Sequence, residues 1–262
     1  MKIVKRYAVL ATALAMLLTV CSCAKKNENN AGNSGKKTLT MATSADFPPY
    51  EFYGDGKIVG IDAEIAAAIA DKLGMELVIE DMDFDSIIVS IETGKYDMGM
   101  AGLTATDERM QQVSFTASYA TGIQVIVVPQ DSPIASVDDL FEEHAFYKIG
   151  VQMSTTGDIY ASEDLENEGL AYVDRYLKGA DAIMALNTGK VDCVIIDNEP
   201  AKVFVSQNPG LKILDTEYAV EQYAIAVNKD KTELLEKIDG ALRSLIVNGT
   251  ARAIVDKYVK AY

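Results

Sequence analysis

Two groups of residues in this sequence could together hold a small molecule that carries a negative and a positive charge. Residues 102–109 read GLTATDER and combine backbone N–H groups, the Thr104 hydroxyl and the Arg109 guanidinium, which is the set of donors that an α-carboxylate needs. Asp197 follows an apolar run, residues 194–196, and its carboxylate could bind an ammonium group. Since a cation and an acid match the two charges of an amino acid, the sequence predicts a binding site for such a zwitterion.

Each of these residues also has a structural interpretation. Asp107 and Glu108 could stabilise the start of a helix while Arg109 pairs with them on the surface. Asp197 could cap a helix that begins just before Pro200. Phe47 and Phe84, both in predicted strand-to-helix loops, could enclose a ligand side chain, although core packing is the more frequent role of a lone aromatic residue. Spacing alone leaves these alternatives open.

Metal, nucleotide and catalytic sites find little support in the sequence. The spacing of a calcium loop is found in Asp81, Asp83, Asp85 and Glu92. However, Ser86 occupies the position that requires glycine, and the residues up to 91 have the pattern of a packed helix. Gly-Asp-Gly at 54–56 lacks the rest of a phosphate loop and predicts a hairpin turn. We therefore predict no metal, no cofactor and no catalytic residue.

Charge and composition exclude further classes. The net charge of −15 argues against nucleic acid as a partner. The chain has a single histidine, His144, in a polar stretch that predicts a surface position, so histidine-based zinc sites and catalytic triads are disfavoured. Cys193 lies in an apolar run and is predicted to be a small buried hydrophobic residue.

The first residues predict export. Residues 1–22 combine basic residues with an apolar run too short for a stable membrane anchor, which is typical of a signal peptide. Ser22-Cys23 resembles the bacterial lipoprotein cleavage site, with Cys23 as the acylated N-terminus, and Cys23 fits better than Cys21 because the small Ser22 precedes it. An ordinary signal peptide is the alternative. Residues 23–37 are polar and predict a flexible tether.

A repeated pattern predicts that two similar lobes position the charged residues. Thr-Gly-Lys occurs at 93–95 and at 188–190, each time after a helical pattern and before an apolar strand. The alternation of strands and helices predicts an α/β fold in which each lobe is a mostly parallel sheet flanked by helices. Runs at 122–128 and 223–227 predict two strands that cross between the lobes as a hinge. We expect lobe 1 to comprise residues 38–124 and 223–262, and lobe 2 residues 125–222.

Several motifs in this order and spacing resemble those of a known family. The motifs are FPPYEF at 47–52, VGID at 59–62, MDF at 82–84, the block at 102–109 and Gly-Thr at 249–250. Together they resemble the polar amino-acid-binding proteins of ABC importers, which are bacterial extracellular solute-binding proteins of family 3. The resemblance covers residues 39–262, although no single motif is unique to the family. It implies the two-lobe, type II periplasmic-binding-protein fold.

The resemblance also implies a role for each site residue. Arg109 would bind the ligand carboxylate, with the Thr104 amide and amides around Thr155 and Thr156. Asp197, the Gly102 carbonyl and the Thr104 hydroxyl would hold the ammonium. The residues that would surround the ligand side chain are Ser44, Phe47, Phe84 and Gln152.

Two positions depart from the family pattern. Ser44 stands where relatives for basic amino acids usually have an acid, which disfavours arginine, lysine and histidine as ligands, although Asp46 weakens that exclusion. Ser154 replaces a glycine that is frequent in the loop at 152–156, so the arrangement of the loop's amides is in doubt.

The function that the resemblance implies is binding without chemistry. We expect an extracytoplasmic receptor, lipid-anchored to the cell membrane through Cys23 and monomeric, that traps a free L-amino acid and delivers it to the membrane permease of an ABC importer. An enzyme similar to the cyclohexadienyl or arogenate dehydratases on the same scaffold is the alternative. A ligand-sensing module of a signalling receptor is disfavoured, because the sequence up to Tyr262 contains no later membrane helix.

Overall fold

The computed structural model describes residues 37–259, which form an α/β structure. The predicted signal peptide, Cys23 and the tether up to residue 36 lie outside the described residues. The strands are β1 (Thr38–Thr43), β2 (Asp46–Phe47), β3 (Glu51–Gly54), β4 (Lys57–Val59), β5 (Glu76–Asp81), β6 (Met98–Gly99), β7 (Val113–Pro129), β8 (Tyr147–Gln152), β9 (Ala171–Tyr176), β10 (Cys193–Asp197), β11 (Leu211–Ile213) and β12 (Ala219–Asn228). The α-helices are α1 (Ile61–Leu73), α2 (Ile87–Glu92), α3 (Asp107–Gln112), α4 (Thr156–Tyr160), α5 (Gly179–Asn187), α6 (Asn198–Gln207), α7 (Thr232–Val247) and α8 (Thr250–Val259).

Helix α1 shows how the apolar spacing produces local structure. Ile61, Ile65 and Ile69 recur every fourth residue, so they lie on one face of the helix, and all three are buried. Gly74 ends the helix in the left-handed conformation, with φ of 66°, which glycine adopts without steric cost. The spacing of the isoleucines and Gly74 predict from the sequence a helix that stops at Gly74, and the structure confirms it.

The main sheet has a parallel part at each end and an antiparallel centre. Its strand order is β5-β1-β6-β12-β7-β10-β8-β9, and β11 also pairs with β7. Pairing is parallel in β5-β1-β6 and in β10-β8-β9, whereas β12 and β7 run antiparallel to each other and to their outer neighbours. Consequently the carboxyl ends of strands in both parallel parts are available to carry loops of one site.

The two long central strands differ in length from the sequence prediction. Strand β7 begins at Val113 rather than at residue 122, and β12 extends from Ala219 to Asn228. Residues 113–119 alternate apolar and polar side chains, which is typical of a strand although it contains no continuous apolar run, and they pair with β12. Of the apolar strand predicted after residues 93–95, only Met98–Gly99 pairs, and the Asp97 carboxylate instead accepts bonds from the amide and hydroxyl of Thr40, both at 2.9 Å.

Several smaller predictions are confirmed. The hairpin turn joins β3 to β4 through Asp55 and Gly56, both of which have positive φ. Cys193 is fully buried and His144 is exposed. Helices α7 and α8 pack against α1, which returns the end of the chain to its beginning. The residue boundaries of the two lobes stay a prediction. Within the described chain, none of the helices has the length and apolar character of a membrane span.

Candidate ligand-binding site

The predicted site residues come together around one cavity. All of them except Thr104 line it, together with Asp46, Glu51 and Ala101; the members are Ser44, Phe47, Phe84, Gly102, Arg109, Gln152, Thr155, Thr156 and Asp197. Thr104 is adjacent, because its carbonyl oxygen accepts a hydrogen bond of 2.9 Å from Arg109. The cavity is only about 10 Å³ in volume, roughly the space that one water molecule needs. An amino acid can therefore enter only if the surrounding elements move apart.

Arg109 is a buried cation with neutral hydrogen-bond acceptors. It lies in α3, which begins where the Thr106 hydroxyl accepts a bond from the Arg109 amide, and it is 6% exposed. Its guanidinium donates to the carbonyl oxygens of Thr104 at 2.9 Å and Ser154 at 2.8 Å, and lies 5.4 Å from the centre of the Phe84 ring. Among residues 37–259, no ion pair joins it to an acid. The predicted alternative, surface pairing with Asp107 or Glu108, is wrong.

Electrostatics leave the Arg109 charge available to an anion. Burial lowers the pKa of Arg109, and the charges of Glu221 and Asp197 oppose that shift. Desolvating a guanidinium is costly unless an anion compensates it, and a carboxylate matches its planar fork with two parallel bonds. Arg109 is therefore suited to binding a carboxylate.

Asp197 supplies a buried acid on the same cavity. It ends β10, and its carboxylate accepts hydrogen bonds from Gln124 at 2.8 Å and from the Tyr223 hydroxyl. Although Asp197 precedes α6, its side chain makes no bond to that helix, so the alternative of a side-chain helix cap is wrong. Burial, and secondly the charge of Glu221, raise the pKa of Asp197 to about 7. An ammonium beside it would compensate this desolvation.

The wall around the predicted side-chain position combines aromatic and polar groups. The Ser44 hydroxyl donates to Asp46 at 3.0 Å, and the Gln152 amide nitrogen donates to the Leu177 carbonyl at 3.2 Å. Phe47 is buried at the end of β2, whereas Phe84 lies in a 3-10 turn before α2. Both aromatic residues line the cavity, so they could contact a ligand side chain.

Gly102 allows the chain to turn close to the cavity. Its φ of 55° is in the left-handed region, and a Cβ there would lie 3.1 Å from the Phe47 ring. Its amide donates to Asp62 in α1 at 3.0 Å. Asp62 therefore holds the amide of Gly102, the residue whose carbonyl, in the next peptide, was predicted to face the ammonium.

In the loop after β8, Ser154 adopts a backbone conformation that is unfavourable for a residue with a side chain. Ser154 has φ of 63°, which favours glycine and explains why glycine is expected at this position. The Ser154 amide donates to Asp158 at 2.9 Å, and the Thr155 hydroxyl accepts from the Asp158 amide at the start of α4. These bonds hold the loop in place without glycine.

Sequence reasoning missed several buried polar residues at the site. Glu221 and Gln124 are 3% and 0% exposed and belong to the central strands β12 and β7. Glu51 lines the cavity, and burial together with the charge of Asp62 raises its pKa well above the usual value. No spacing marked them, and only the polar character of Gln124 within an apolar run was a signal.

Asp81, in the acidic run at 81–92, has a structural role. Asp81 accepts hydrogen bonds from the Ala45 amide at 2.8 Å and from the Tyr53 hydroxyl at 3.2 Å. Among the described residues, no group of three or more His, Cys, Asp or Glu side chains could hold a metal ion.

A buried cation in α3, which follows β6, and a buried acid at the end of β10 share one cavity, and this arrangement is that of the solute-binding proteins. The sequence profile of the bacterial extracellular solute-binding proteins, family 3, matches residues 39–261. The chain belongs to this family, whose members act outside the cytoplasm. The type II periplasmic-binding-protein fold predicted from the sequence is confirmed.

Relatives agree with this assignment. The chain is 32% identical to the arginine-binding extracellular protein ArtP of Bacillus subtilis (strain 168), over 97% of this chain and 98% of ArtP. It is 38% identical to an ancestral arginine-binding protein bound to arginine, with a TM-score of 0.79 over 85% of this chain and 98% of that one. The same type of ancestral protein bound to glutamine gives 39% identity, a TM-score of 0.78 and the same coverage.

These findings confirm the resemblance to polar amino-acid-binding proteins of ABC importers. The relatives are solute-binding proteins rather than enzymes, so the dehydratase alternative is not supported.

Proposed function

We propose that this protein binds one free L-amino acid in the described cavity and delivers it to the permease of an ABC importer. The observation that carries the proposal is the placement of Arg109 and Asp197. Both are buried on one cavity, and Arg109 has no acidic partner within 4 Å among residues 37–259. A zwitterion supplies the missing anion for Arg109 and a cation for Asp197.

In this proposal the ligand's backbone is held by both of its charges. The α-carboxylate replaces the Thr104 and Ser154 carbonyls as the partner of the Arg109 guanidinium, with help from amides near Thr155. The α-ammonium binds Asp197 together with the Gly102 carbonyl and the Thr104 hydroxyl. Removing one partner of such a buried charge pair typically costs about 3–5 kcal/mol, so both charges of the ligand should be required.

Closure of two lobes would complete the site. With the boundaries predicted above, Arg109 and Gly102 belong to lobe 1, whereas Ser154, Thr155 and Asp197 belong to lobe 2. A ligand that bridges them makes contacts in the closed state that neither lobe offers alone, and this difference drives closure. Strands β7 and β12 are the continuous segments about which the lobes would move.

The acidic wall of the cavity favours a ligand side chain that donates hydrogen bonds. One carboxylate oxygen of Asp46 is buried and lacks a hydrogen-bond partner among the described residues, whereas the buried Glu51 interacts with Asp62. Arginine and glutamine, which are bound in the two ancestral structures, both carry N–H donors. The prediction from Ser44 disfavours basic ligands, and these acids argue in the opposite direction, so we propose a polar ligand with N–H groups on its side chain.

Calorimetry with the twenty L-amino acids tests the ligand class. We expect at least one to bind, and Arg109→Ala to abolish that binding. Arg243→Ala is the matched control, because Arg243 pairs with Asp239 on the surface and should not affect affinity. The ligand class is wrong if the wild-type protein binds none of the twenty, and the role of Arg109 is wrong if Arg109→Ala binds as tightly as the wild type.

Anchoring through Cys23 and a monomeric state complete the proposal. Mass spectrometry of the protein extracted from its native membrane should find an acylated N-terminal peptide that begins at Cys23, and Cys23→Ala should release the protein from the membrane fraction. Light scattering should give the mass of a single chain.

A further inference from the structure

Glu221 connects the parts of the chain that surround the candidate site. It lies in β12, and its Oε2 atom accepts hydrogen bonds from the Thr104 hydroxyl at 3.2 Å, the Thr156 hydroxyl at 2.9 Å and the Gln124 amide nitrogen at 3.2 Å. Thr104 lies in the block that includes Arg109, Thr156 begins α4, and Gln124 belongs to β7. One oxygen atom therefore holds donors from three separate segments.

These bonds determine what the Thr104 hydroxyl can offer a ligand. A hydroxyl has one proton and two lone pairs, whereas an ammonium has three N–H donors and no acceptor. An ammonium can use a hydroxyl only if the hydroxyl proton points elsewhere. Because Thr104 donates its proton to Glu221, its lone pairs are left to accept from an ammonium.

Thr156 is oriented by the same carboxylate. Its hydroxyl donates to Glu221 at 2.9 Å and lies 3.3 Å from the Gln124 amide nitrogen, whose two protons are shared among Thr156, Glu221 and Asp197. The bond between Thr156 and Glu221 holds the first residue of α4 close to the cavity that Thr156 lines. Gln124 also donates to Asp197 at 2.8 Å, which extends the network to the predicted ammonium site.

We propose that Glu221 is a positioning residue of the ligand site: by accepting the hydroxyl protons of Thr104 and Thr156, it presents the Thr104 oxygen to the ligand's ammonium and holds the start of α4 at the cavity. The proposal rests on the proposed function, because it requires a ligand with an α-ammonium group. Glu221 acts through the two threonines and does not itself line the cavity.

Replacing Glu221 with glutamine keeps the shape and removes the charged acceptor. A neutral amide oxygen accepts more weakly than a carboxylate, and the amide NH₂ cannot accept at all, so the Thr104 proton is free to turn toward the ligand. Since hydrogen bonds to charged groups contribute about 1.5–3 kcal/mol, the affinity for an amino acid should fall roughly 10- to 150-fold.

The experiment compares amino acids with analogues that lack the α-amino group. The probes are L-arginine with 5-guanidinopentanoic acid and L-glutamine with glutaramic acid, titrated by calorimetry or NMR. The readout is the ratio of the analogue's Kd to the amino acid's Kd. We expect Glu221→Gln to lower this ratio roughly tenfold or more, and to have little effect on it in a Thr104→Val background, where the hydroxyl is already absent.

Asp97→Asn is the matched control. Asp97 also accepts a threonine hydroxyl, that of Thr40 at 2.9 Å, but it does not line the cavity. This variant should lose stability and keep the ratio of the wild type. If Glu221→Gln does not fold, Glu221→Asp retains the charge but withdraws the oxygen, and it should lower the ratio as well.

Two results would overturn the inference in distinguishable ways. If the wild type binds an amino acid and the folded Glu221 variants keep its ratio, the positioning role is wrong and the proposed function stands. If the wild type binds none of the probes and none of the other amino acids, both proposals are wrong.

Discussion

The Arg109 guanidinium donates a hydrogen bond to the backbone carbonyl of Ser154, at a distance of 2.8 Å. This bond joins α3 to the loop after β8 across the candidate cavity. A carbonyl is a neutral acceptor, whereas a carboxylate offers charge and two oxygens, so a ligand carboxylate should displace Ser154 from Arg109. The Arg109 guanidinium is therefore held in place by neutral acceptors, which do not compensate its positive charge.

Arg109→Lys should weaken amino-acid binding although it conserves the charge. Lysine lacks the planar fork that makes two parallel bonds to a carboxylate, so we expect a loss of about 2–3 kcal/mol, or roughly 30- to 150-fold in Kd. Calorimetry with the ligand found for the wild type measures the change. Arg252→Lys, on the surface of α8, is the control, and an Arg109→Lys protein with wild-type affinity would contradict a paired carboxylate contact.

Ser154→Gly should stabilise the protein modestly. The left-handed conformation at Ser154 costs a side-chain-bearing residue about 1–2 kcal/mol, and glycine avoids this while giving the unfolded chain more freedom, at about 0.4–1 kcal/mol. The expected net gain in the free energy of unfolding is about 0.5 kcal/mol, measurable by denaturant titration. Ser114→Gly in extended β7 should instead lose stability. Equal losses in both variants would show that Ser154 is not strained.

Gly60→Ala should be much more damaging than Gly74→Ala. A Cβ on Gly60 would lie 2.2 Å from the backbone oxygen of Tyr50, whereas a Cβ on Gly74 would meet no atom within 4 Å. Gly74 has left-handed helical angles, whereas Gly60, with φ of 128° and ψ of −175°, lies in a region essentially restricted to glycine, so backbone strain adds to the clash at Gly60. We expect about 1 kcal/mol for Gly74→Ala and more than about 3 kcal/mol for Gly60→Ala. Thermal unfolding of the two variants checks this, and similar losses would contradict the close approach.

The pH dependence of stability should include a contribution from Asp197. Its pKa is raised to about 7 in the folded protein, above the value of about 3.9 for an unfolded aspartate. The folded state therefore binds the proton more tightly, and stability falls as pH rises from about 4 to 7. The Asp197→Asn variant lacks this titrating group. The stability of the variant relative to the wild type should therefore increase from about pH 4 to 7 and be constant above pH 7. Urea titrations at several pH values measure the difference, and a constant difference throughout would contradict the raised pKa.

Ligand binding should lower the raised pKa of Asp197. An α-ammonium beside Asp197 favours its ionised form, so binding near pH 6 should release a proton and affinity should fall as the pH is lowered. Calorimetry in two buffers of different ionisation enthalpy counts the protons. Uptake of a proton would place the ammonium away from Asp197.

Local sequence patterns were sufficient to predict the elements that combine regular apolar spacing with a residue that ends the element. Helix α1 begins and ends where the isoleucine spacing and Gly74 predict. The first half of β7 had a weaker signal, because residues 113–119 alternate apolar and polar side chains without a continuous apolar run; they pair with β12, more than a hundred positions later. Pairing between distant segments depends on contacts that a local pattern does not contain.

The sequence by itself determined the fold class, the family and the residue types for a zwitterion site, because apolar periodicity and ordered motifs are local properties of the chain. Only the tertiary structure decided which charges are partnered. In the folded protein, Arg109 donates to backbone carbonyls, and the Asp197 side chain makes no bond to the helix that it precedes. Glu221 accepts hydrogen bonds from the hydroxyls of Thr104 and Thr156. Hydrogen-bond partners and desolvation depend on which segments meet in space, so they exist only once β7 and β12 have brought the two parallel parts of the sheet together.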